Sequence, residues 1–233
     1  MHKLPWILLS AVAVAGCAVP PRGEAPAAAV PPPVAAGPAE SLRDAQSWTV
    51  VASRLVVRVY RDGPMQKLGH DHLITSDGLV GRIALGAPLT ETAFELSLPL
   101  ESLVVDDADE RAAVGGIFSA PVPQKDRDAT RHNLLGTKLL DAATQDTMRL
   151  TSESVAGDPG SFEARVRVAI AGRESLISAP FTVTIEGDRL EAHAEFRLTH
   201  ADLGLEPFAV ALGALRVRED FDVDLTLEAR RGS

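Results

Sequence analysis

The chain has 233 residues, a formal net charge of −9 at pH 7 and 45% hydrophobic residues, which is typical of a globular protein that buries one sizeable core. Acidic side chains outnumber basic ones by 32 to 23 and no basic run occurs, so the composition argues against nucleic acid as a partner. A single cysteine rules out a disulfide within the chain.

The first 16 residues are predicted to form a secretory signal peptide. His2 and Lys3 make a short basic region, and the apolar run that follows, residues 4–14, is too short to span a bilayer. The sequence VAGC comes next, with Cys17 as its last residue. The simplest interpretation is an ordinary signal peptide followed by a cysteine without a special role.

The VAGC sequence also resembles the bacterial lipoprotein box, in which the cysteine is acylated and becomes the N-terminus of the mature protein. This resemblance implies lipidation of Cys17 and attachment to a membrane in the bacterial periplasm. Ala18, rather than an acidic residue, follows the cysteine. Similarity to enterobacterial lipoproteins therefore favours the outer membrane over the inner one.

Residues 17–47 predict a tether between this anchor and a folded domain. The segment is rich in proline and alanine and has few large apolar side chains, so it cannot offset the entropy that ordering would cost. From residue 48 onward the sequence changes to regular apolar patterns. The predicted organisation is a signal peptide at 1–16, a lipidated cysteine and tether at 17–47, and one folded domain at 48–233.

Alternation with period two dominates the predicted domain. In residues 161–170, Phe162, Val166, Val168 and Ile170 fall on one face and charged side chains on the other. Strands with one polar face indicate an antiparallel sheet. The pattern predicts about eight or nine strands, which would best protect their edges by closing into a barrel. An eight-stranded barrel encloses room for side chains or for one small ligand.

One segment between the strands predicts a helix. Leu134, Leu135, Lys138 and Leu139 are spaced as on one helical face, over about residues 128–141. By contrast, the charged sequence DDADER at residues 106–111 predicts a solvated loop.

Common catalytic signatures are missing from the sequence. It has no GxSxG elbow, no GxxxxGK[ST] phosphate loop, no GxGxxG dinucleotide loop and no HExxH zinc motif. We therefore predict that the protein is not an enzyme and requires no cofactor.

The order of several segments resembles the YceI-like family of exported lipid-binding proteins, over nearly all of residues 48–229. The resemblance implies an all-β fold: a lipocalin-like eight-stranded antiparallel β-barrel with one short helix. It also implies an interior tunnel that holds a polyisoprenoid or quinone-like chain. GHDH at residues 69–72 departs from the commonest family pattern. The matching segments are SRLVVRV (53–59), DRDATRHNLLGTKLLDAATQDTMRLTS (126–152), FEARVRVAIAGRESLISAPFTVT (162–184) and DLGLEPFAVALGALRVREDFDVDLTLEA (202–229).

Apolar residues on the inward faces of the predicted strands are candidates for contact with such a chain. Most are aliphatic, and aromatic residues make up only 4% of the chain, so the interior could stay open. The alternative is that these side chains pack against one another and fill the core. The candidates are Leu55, Val57, Val59, Phe94, Val166, Val168, Phe181, Val183, Phe196 and Val223.

The sequence LGHDHL, residues 68–73, carries two of the six histidines of the chain. In an extended segment His70 and His72 project to the same side while Asp71 points away, so both imidazoles could reach one ion. Two ligands are too few for a metal site. A third would have to come from His132, His193, His200 or a nearby carboxylate. His193 falls on the polar outer face of its predicted strand, which makes it a poor inward ligand, whereas His132 and His200 lie next to predicted loops or helix starts.

Three interpretations of this pair stay open. His70 and His72 form a polar barrel rim with structural hydrogen bonds, or contact the head group of a ligand together with His132, or belong to a zinc, copper or haem-related site. Because the pair follows the first strand and a turn, we expect the two rings side by side at one end of the barrel.

These patterns predict non-catalytic binding, carriage or storage of a long apolar molecule by a membrane-anchored periplasmic barrel. The expected partners are an apolar small molecule and, through the acyl anchor, a membrane. One alternative is a metal-binding or electron-transport accessory protein that uses His70 and His72. Another is a structural lipoprotein with a filled core. The sequence does not indicate an oligomeric state.

Overall fold

A computed structural model describes residues 47–158 and 160–232. The predicted signal peptide, Cys17 and all of the predicted tether except Ser47 lie outside the described residues. Within the described ranges, no helix has both the length and the apolar character needed to cross a membrane. The first strand begins at Ser47, one residue before the predicted start of the folded domain.

Strands account for most of the described chain. In these ranges the strands number eleven and form one sheet. Their bounds are β1 Ser47–Asp62, β2 His72–Ser76, β3 Val80–Ala84, β4 Ala93–Pro99, β5 Val104–Val105, β6 Thr147–Asp158, β7 Ser161–Ile170, β8 Arg173–Glu186, β9 Arg189–Thr199, β10 Ala209–Val210 and β11 Leu215–Arg231.

The first and last strands pair with each other and close the sheet into a barrel. The antiparallel register between β1 and β11 runs from Trp48 opposite Arg231 to Asp62 opposite Arg216. Counted over the described residues, eight strands make the barrel wall, in the order β1, β3, β4, β6, β7, β8, β9, β11. The predicted eight-stranded antiparallel barrel is confirmed.

Alternation along β7 shows why these sequences form the wall. Phe162, Val166, Val168 and Ile170 are buried in the barrel core, while the charged residues between them are exposed. Each fully buried side chain of this size contributes roughly 1.5–3 kcal/mol relative to an exposed one. A shift of one residue in register would turn the apolar face outward, so burial fixes the pairing.

The barrel has two ends that differ in their connections. One end carries Ser47, the 85–92 connection and Arg231, and we call it the terminal end. The other carries the end of β1, the start of β2 and the connection at 200–214, and we call it the histidine end. There β2 pairs with the second half of β1, whereas β3 pairs with its first residues.

The described residues contain two α-helices rather than the one predicted: α1 at Ala108–Val114 and α2 at Gln124–Leu135. α2 begins about four residues before the predicted start and ends at Leu135, so its last eight residues match the first part of the predicted range. Of the residues that extended the prediction toward position 141, Leu139 and Leu140 are buried in the turns that follow the helix, whereas Lys138 is exposed.

The prediction of a solvated loop at 106–111 was wrong. Asp107 caps α1, because its side chain accepts hydrogen bonds from the backbone N–H groups of Asp109 and Glu110 at 3.0 and 3.1 Å. Asp106 and Arg111 are both buried. Outside the barrel, Val56, Leu73 and Phe118 form a second small apolar cluster, against which α1 packs through Val114.

Candidate ligand-binding site

Two apolar cavities lie along the interior of the barrel. The first has a volume of about 140 Å³ and lies toward the terminal end, and the second has a volume of about 210 Å³ and extends toward the histidine end. Leu150, Ile177, Phe196 and Leu225 contribute to the lining of both. The two cavities are therefore neighbours along one barrel axis, with these four side chains at their junction.

All ten residues predicted to face the interior line one of these cavities. The first cavity is lined by Phe94, Val166, Phe181, Val183 and Phe196. The second is lined by Leu55, Val57, Val59, Val168, Phe196 and Val223. Their positions are those that the alternation predicts, and their contact with a ligand stays a prediction.

Small side chains account for the space in the first cavity. Ala164 on β7, Ala179 on β8, and Ala192 and Ala194 on β9 all line it. An alanine ends at Cβ, so inward positions that carry alanine leave volume that a larger aliphatic side chain would fill. A barrel of this width holds either its own side chains or a small ligand. The alanine positions on these strands leave room for a ligand.

A third cavity, of about 180 Å³, opens at the histidine end, and its lining mixes apolar side chains with several polar ones. We call it the histidine chamber, because His70, His72 and His200 line it together with Thr130 and Asn133 of α2. It shares lining residues with the second apolar cavity: Val59, Ile74, Leu134, Leu139 and His200. The apolar interior thus leads to a chamber at one end that carries more polar groups than the interior does.

His70 and His72 lie side by side in this chamber, as expected for a barrel rim. Their ring centroids are 6.2 Å apart, with the ring planes at 69°. Nε2 of His70 is 3.5 Å from a carboxylate oxygen of Asp126. Asp71 does not line the chamber; its carboxylate accepts the backbone N–H of Arg61 at 3.0 Å.

Glycines hold the loop that carries the pair. Gly63 has a φ of +92°, and a Cβ there would lie 2.6 Å from the carbonyl oxygen of Ala214. Gly69 is extended, and a Cβ there would lie 2.9 Å from a methyl carbon of Leu215. Close approach of the 62–72 and 209–215 segments therefore favours glycine at both positions.

Asp106 anchors His72 from behind the chamber. Its side chain is fully buried, and one oxygen, Oδ2, lies 2.6 Å from Nδ1 of His72. The other oxygen, Oδ1, accepts the backbone N–H of Leu73 at 2.8 Å and Nη1 of Arg111 at 2.5 Å. The carboxylate therefore has donors on both oxygens and a buried cation beside it, which a buried charge requires.

Arg111 is equally committed to this network. Its side chain is only 4% exposed, and Nη1 also donates to the carbonyl oxygen of Asp71 at 2.8 Å. Nε and Nη2 donate to the carbonyl oxygen of Ala120 at 3.2 and 3.0 Å. Burial alone would raise the pKa of Asp106, but the hydrogen bonds from His72 and Leu73 and the positive charge of Arg111 outweigh it, so the pKa lies below its ordinary value.

Comparison with known proteins gives no match to the sequence but several to the fold. Neither a family model nor a curated protein sequence matches the chain. The structure of BcnA from Burkholderia cenocepacia superposes with a TM-score of 0.54 at 10% identity, covering 76% of this chain and 95% of that one. A mutant of the YceI protein of Campylobacter jejuni, solved with a monobromobimane guest, gives a TM-score of 0.50 at 10% identity, covering 69% of this chain and 85% of that one.

The chain has a YceI-like fold. The resemblance seen in the sequence is thereby confirmed at the level of the fold. At 10% identity the likeness carries no ligand and no activity with it. What the YceI-like barrel of this chain binds must be argued from its own residues.

The YceI-like barrel separates the candidate histidines. His132 is exposed on α2 and does not line the histidine chamber, whereas His200 is buried and lines both the chamber and the second apolar cavity. Among residues 47–158 and 160–232, no three side chains of His, Cys, Asp or Glu converge as a metal site would require.

Sequence reasoning missed the buried pair of Asp106 and Arg111. The signal that could have found it is the apolar run Leu103–Val105 directly before Asp106, because such a run places the next residue at the edge of the core. A buried acid there would need a basic partner nearby, and Arg111 is the first basic residue that follows.

Proposed function

We propose that this YceI-like barrel binds a long apolar molecule, a polyisoprenoid or quinone-like chain, and carries or stores it without chemical change. The observation that carries the proposal is the pair of neighbouring apolar cavities with four shared lining residues. A compact ligand would need one such cavity. A chain-like ligand fits two cavities in line, with its hydrocarbon in contact with aliphatic side chains.

The polarity of the interior supports an orientation for that chain. The two inner cavities have almost wholly apolar linings, whereas the histidine chamber presents imidazole, hydroxyl and amide groups. A hydrocarbon tail would occupy the two apolar cavities and a polar head group would occupy the histidine chamber, because each group then keeps its preferred surroundings. A structural protein with a filled core would have no need for such space.

Mass spectrometry of the purified protein tests this proposal. We expect the full chain, produced in a bacterial host and released from membranes, to carry an isoprenoid-type lipid that stays bound in native spectra and appears in the organic extract. Burial of each methylene contributes about 0.8 kcal/mol, so a long chain should survive purification. A protein that emerges without lipid, and takes up none when lipid is added, would contradict the proposal.

We also propose that the protein is a periplasmic lipoprotein attached to a membrane through acylated Cys17, which lies outside the described residues. The net charge of −9 supports this route, because an acidic surface is repelled by anionic lipids and attachment must then depend on the acyl chains.

Replacement of the cysteine tests the anchor. We expect Cys17→Ser to move the protein almost completely from the membrane fraction to the soluble periplasmic fraction, because no acyl chain then remains. Cell fractionation with immunoblotting measures the change. Replacement of the neighbouring Ala18 by Ser serves as the control and should leave the protein in the membrane fraction. Membrane association that persists in Cys17→Ser would rule the anchor out.

A further inference from the structure

Two of the imidazoles that line the histidine chamber, those of His72 and His200, have an acceptor next to Nδ1 that determines which ring nitrogen carries the hydrogen. Nδ1 of His72 lies 2.6 Å from Oδ2 of Asp106. An ionised carboxylate only accepts hydrogen bonds, so Nδ1 of His72 must carry the hydrogen. In the neutral imidazole, Nε2 is then an acceptor.

His200 is held in the same way by a different group. Its Nδ1 lies 2.8 Å from the backbone carbonyl oxygen of Glu219, which also can only accept. The ring is buried, packs edge-on against Phe221 with centroids 5.1 Å apart, and lies where the chamber meets the second apolar cavity. His200 therefore also presents Nε2 as an acceptor in its neutral form.

The cations around the chamber are already paired with carboxylates. Arg61 lies 3.5 Å from Asp71 and donates to the carbonyl oxygen of Gly69 at 2.7 Å. Arg216 lies 2.7 Å from Asp62. An anionic head group such as a phosphate would have to compete with these carboxylates for the two arginines that line the chamber.

We infer that the histidine chamber takes a hydroxyl head group, from an alcohol or a quinol at the end of an apolar chain. Nε2 of His72 and Nε2 of His200 are its two acceptors, and each hydroxyl hydrogen is donated to one of them at a time. This inference rests on the proposed function, since the chain itself lies in the apolar cavities. The shared chemistry is an uncharged O–H donor. An ether or a quinone of the same chain lacks this O–H donor, and a phosphate of the same chain adds negative charge.

Matched ligands measure this preference. The protein is the full chain with Cys17→Ser, and the probes are a long-chain polyprenyl alcohol, its methyl ether, its monophosphate and the plain hydrocarbon of the same chain. We expect the alcohol to bind roughly three- to tenfold more tightly than the ether, because one hydrogen bond to a buried acceptor is gained. A quinol and quinone with one common tail form a second pair, and the quinol should bind more tightly.

Variants assign the preference to the two histidines. We expect His72→Phe and His200→Phe each to lower the alcohol-to-ether ratio of affinities while the affinity for the hydrocarbon stays within about twofold, since a ring of similar size remains. In His200→Phe the carbonyl oxygen of Glu219 loses the imidazole as a partner but still accepts the backbone N–H of residue 200, which lies at 3.0 Å. His132→Phe is the control, because His132 is exposed and does not line the chamber.

Asp106→Asn provides a test that a merely structural role would not pass. Oδ1 of Asp106 accepts two hydrogen bonds, from Leu73 and Arg111, so the amide oxygen of asparagine should take that place and its NH₂ should face His72. Nδ1 of His72 would then accept, and Nε2 would carry the hydrogen. Nitrogen NMR of the imidazole should show this change of tautomer, and the alcohol-to-ether ratio should fall.

The outcomes separate the inference from the proposed function. Equal affinities for the alcohol and its ether, or tighter binding of the monophosphate, would overturn the hydroxyl inference while the hydrocarbon still binds. Failure of every probe, including the hydrocarbon, would overturn the proposed function. An alcohol-to-ether ratio of affinities that is unchanged in both His72→Phe and His200→Phe would also overturn the inference. Because the ratio compares two ligands on the same variant, the variants need not be as stable as the original protein.

Discussion

Leu225→Trp should abolish the uptake of long-chain ligands. Leu225 lies on β11 at the junction of the two apolar cavities and lines both, so an indole there would occupy the passage between them. If about four methylenes are kept out of the barrel, about 3 kcal/mol of burial is lost, which lowers affinity on the order of a hundredfold. Titration with a polyprenyl alcohol or its hydrocarbon, followed by native mass spectrometry, measures the loss.

Leu176→Trp is the matched control for that experiment. Leu176 is 44% exposed on β8, and its partner in the register, Arg167, also faces solvent. The same substitution there adds an indole outside the barrel and should leave affinity unchanged. Thermal unfolding should show both variants folded. If Leu225→Trp binds the chain as tightly as Leu176→Trp does, the ligand does not pass through the junction and the proposed site is wrong.

The wall of the barrel could be predicted from the sequence because alternation is a local property of a strand. Phe162 to Ile170 and Phe221 to Leu227 place every second side chain inside, and each strand shows this pattern without reference to its neighbours. The two-residue strands β5 and β10 show no period, because two residues cannot. They exist through pairing with β2 and β11.

Burial at 106–111 could not be predicted in the same way. Four of the six residues in DDADER are acidic and one is basic, a composition that favours solvent when the segment is considered alone. Asp106 is buried because His72, 34 residues earlier in the chain, and Arg111 both reach it. Compensation of a buried charge by a distant partner depends on the tertiary fold and leaves no periodic trace.

The sequence could not show which of His132 and His200 lines the chamber, because this also depends on the tertiary fold. Both lie near predicted loop or helix boundaries, and nothing local distinguishes them. His200 enters the chamber because the segment after β9 folds back over the barrel end, with its backbone N–H donating to Glu219 at 3.0 Å. His132 stays outside because it lies on the exposed face of α2.

Arg111→Met should destabilise the protein by about 3–5 kcal/mol, because it leaves the buried carboxylate of Asp106 without its cation. Arg54→Met is the matched control: Arg54 pairs with Glu110 of the same segment, but its side chain is 50% exposed, and exposed pairs contribute only about 0–1 kcal/mol. Urea denaturation at pH 7 measures both changes. A double variant, Arg111→Met with Asp106→Leu, should recover part of the loss, because neither charge is then buried alone.

Acid should reduce the difference between the original protein and Arg111→Met. The pKa of Asp106 is lowered in the folded state, so its carboxylate contributes stability that is present above the unfolded value, about 3.9, and is lost as pH falls through the folded value. In Arg111→Met, burial raises the pKa of Asp106 with less to oppose it, so the variant relieves its unpaired charge by taking up a proton at higher pH. The free energies of unfolding should therefore differ most near pH 7 and converge toward pH 4. A difference that stays constant over this range would show that lost packing of the arginine, and not the unpaired carboxylate, causes the destabilisation.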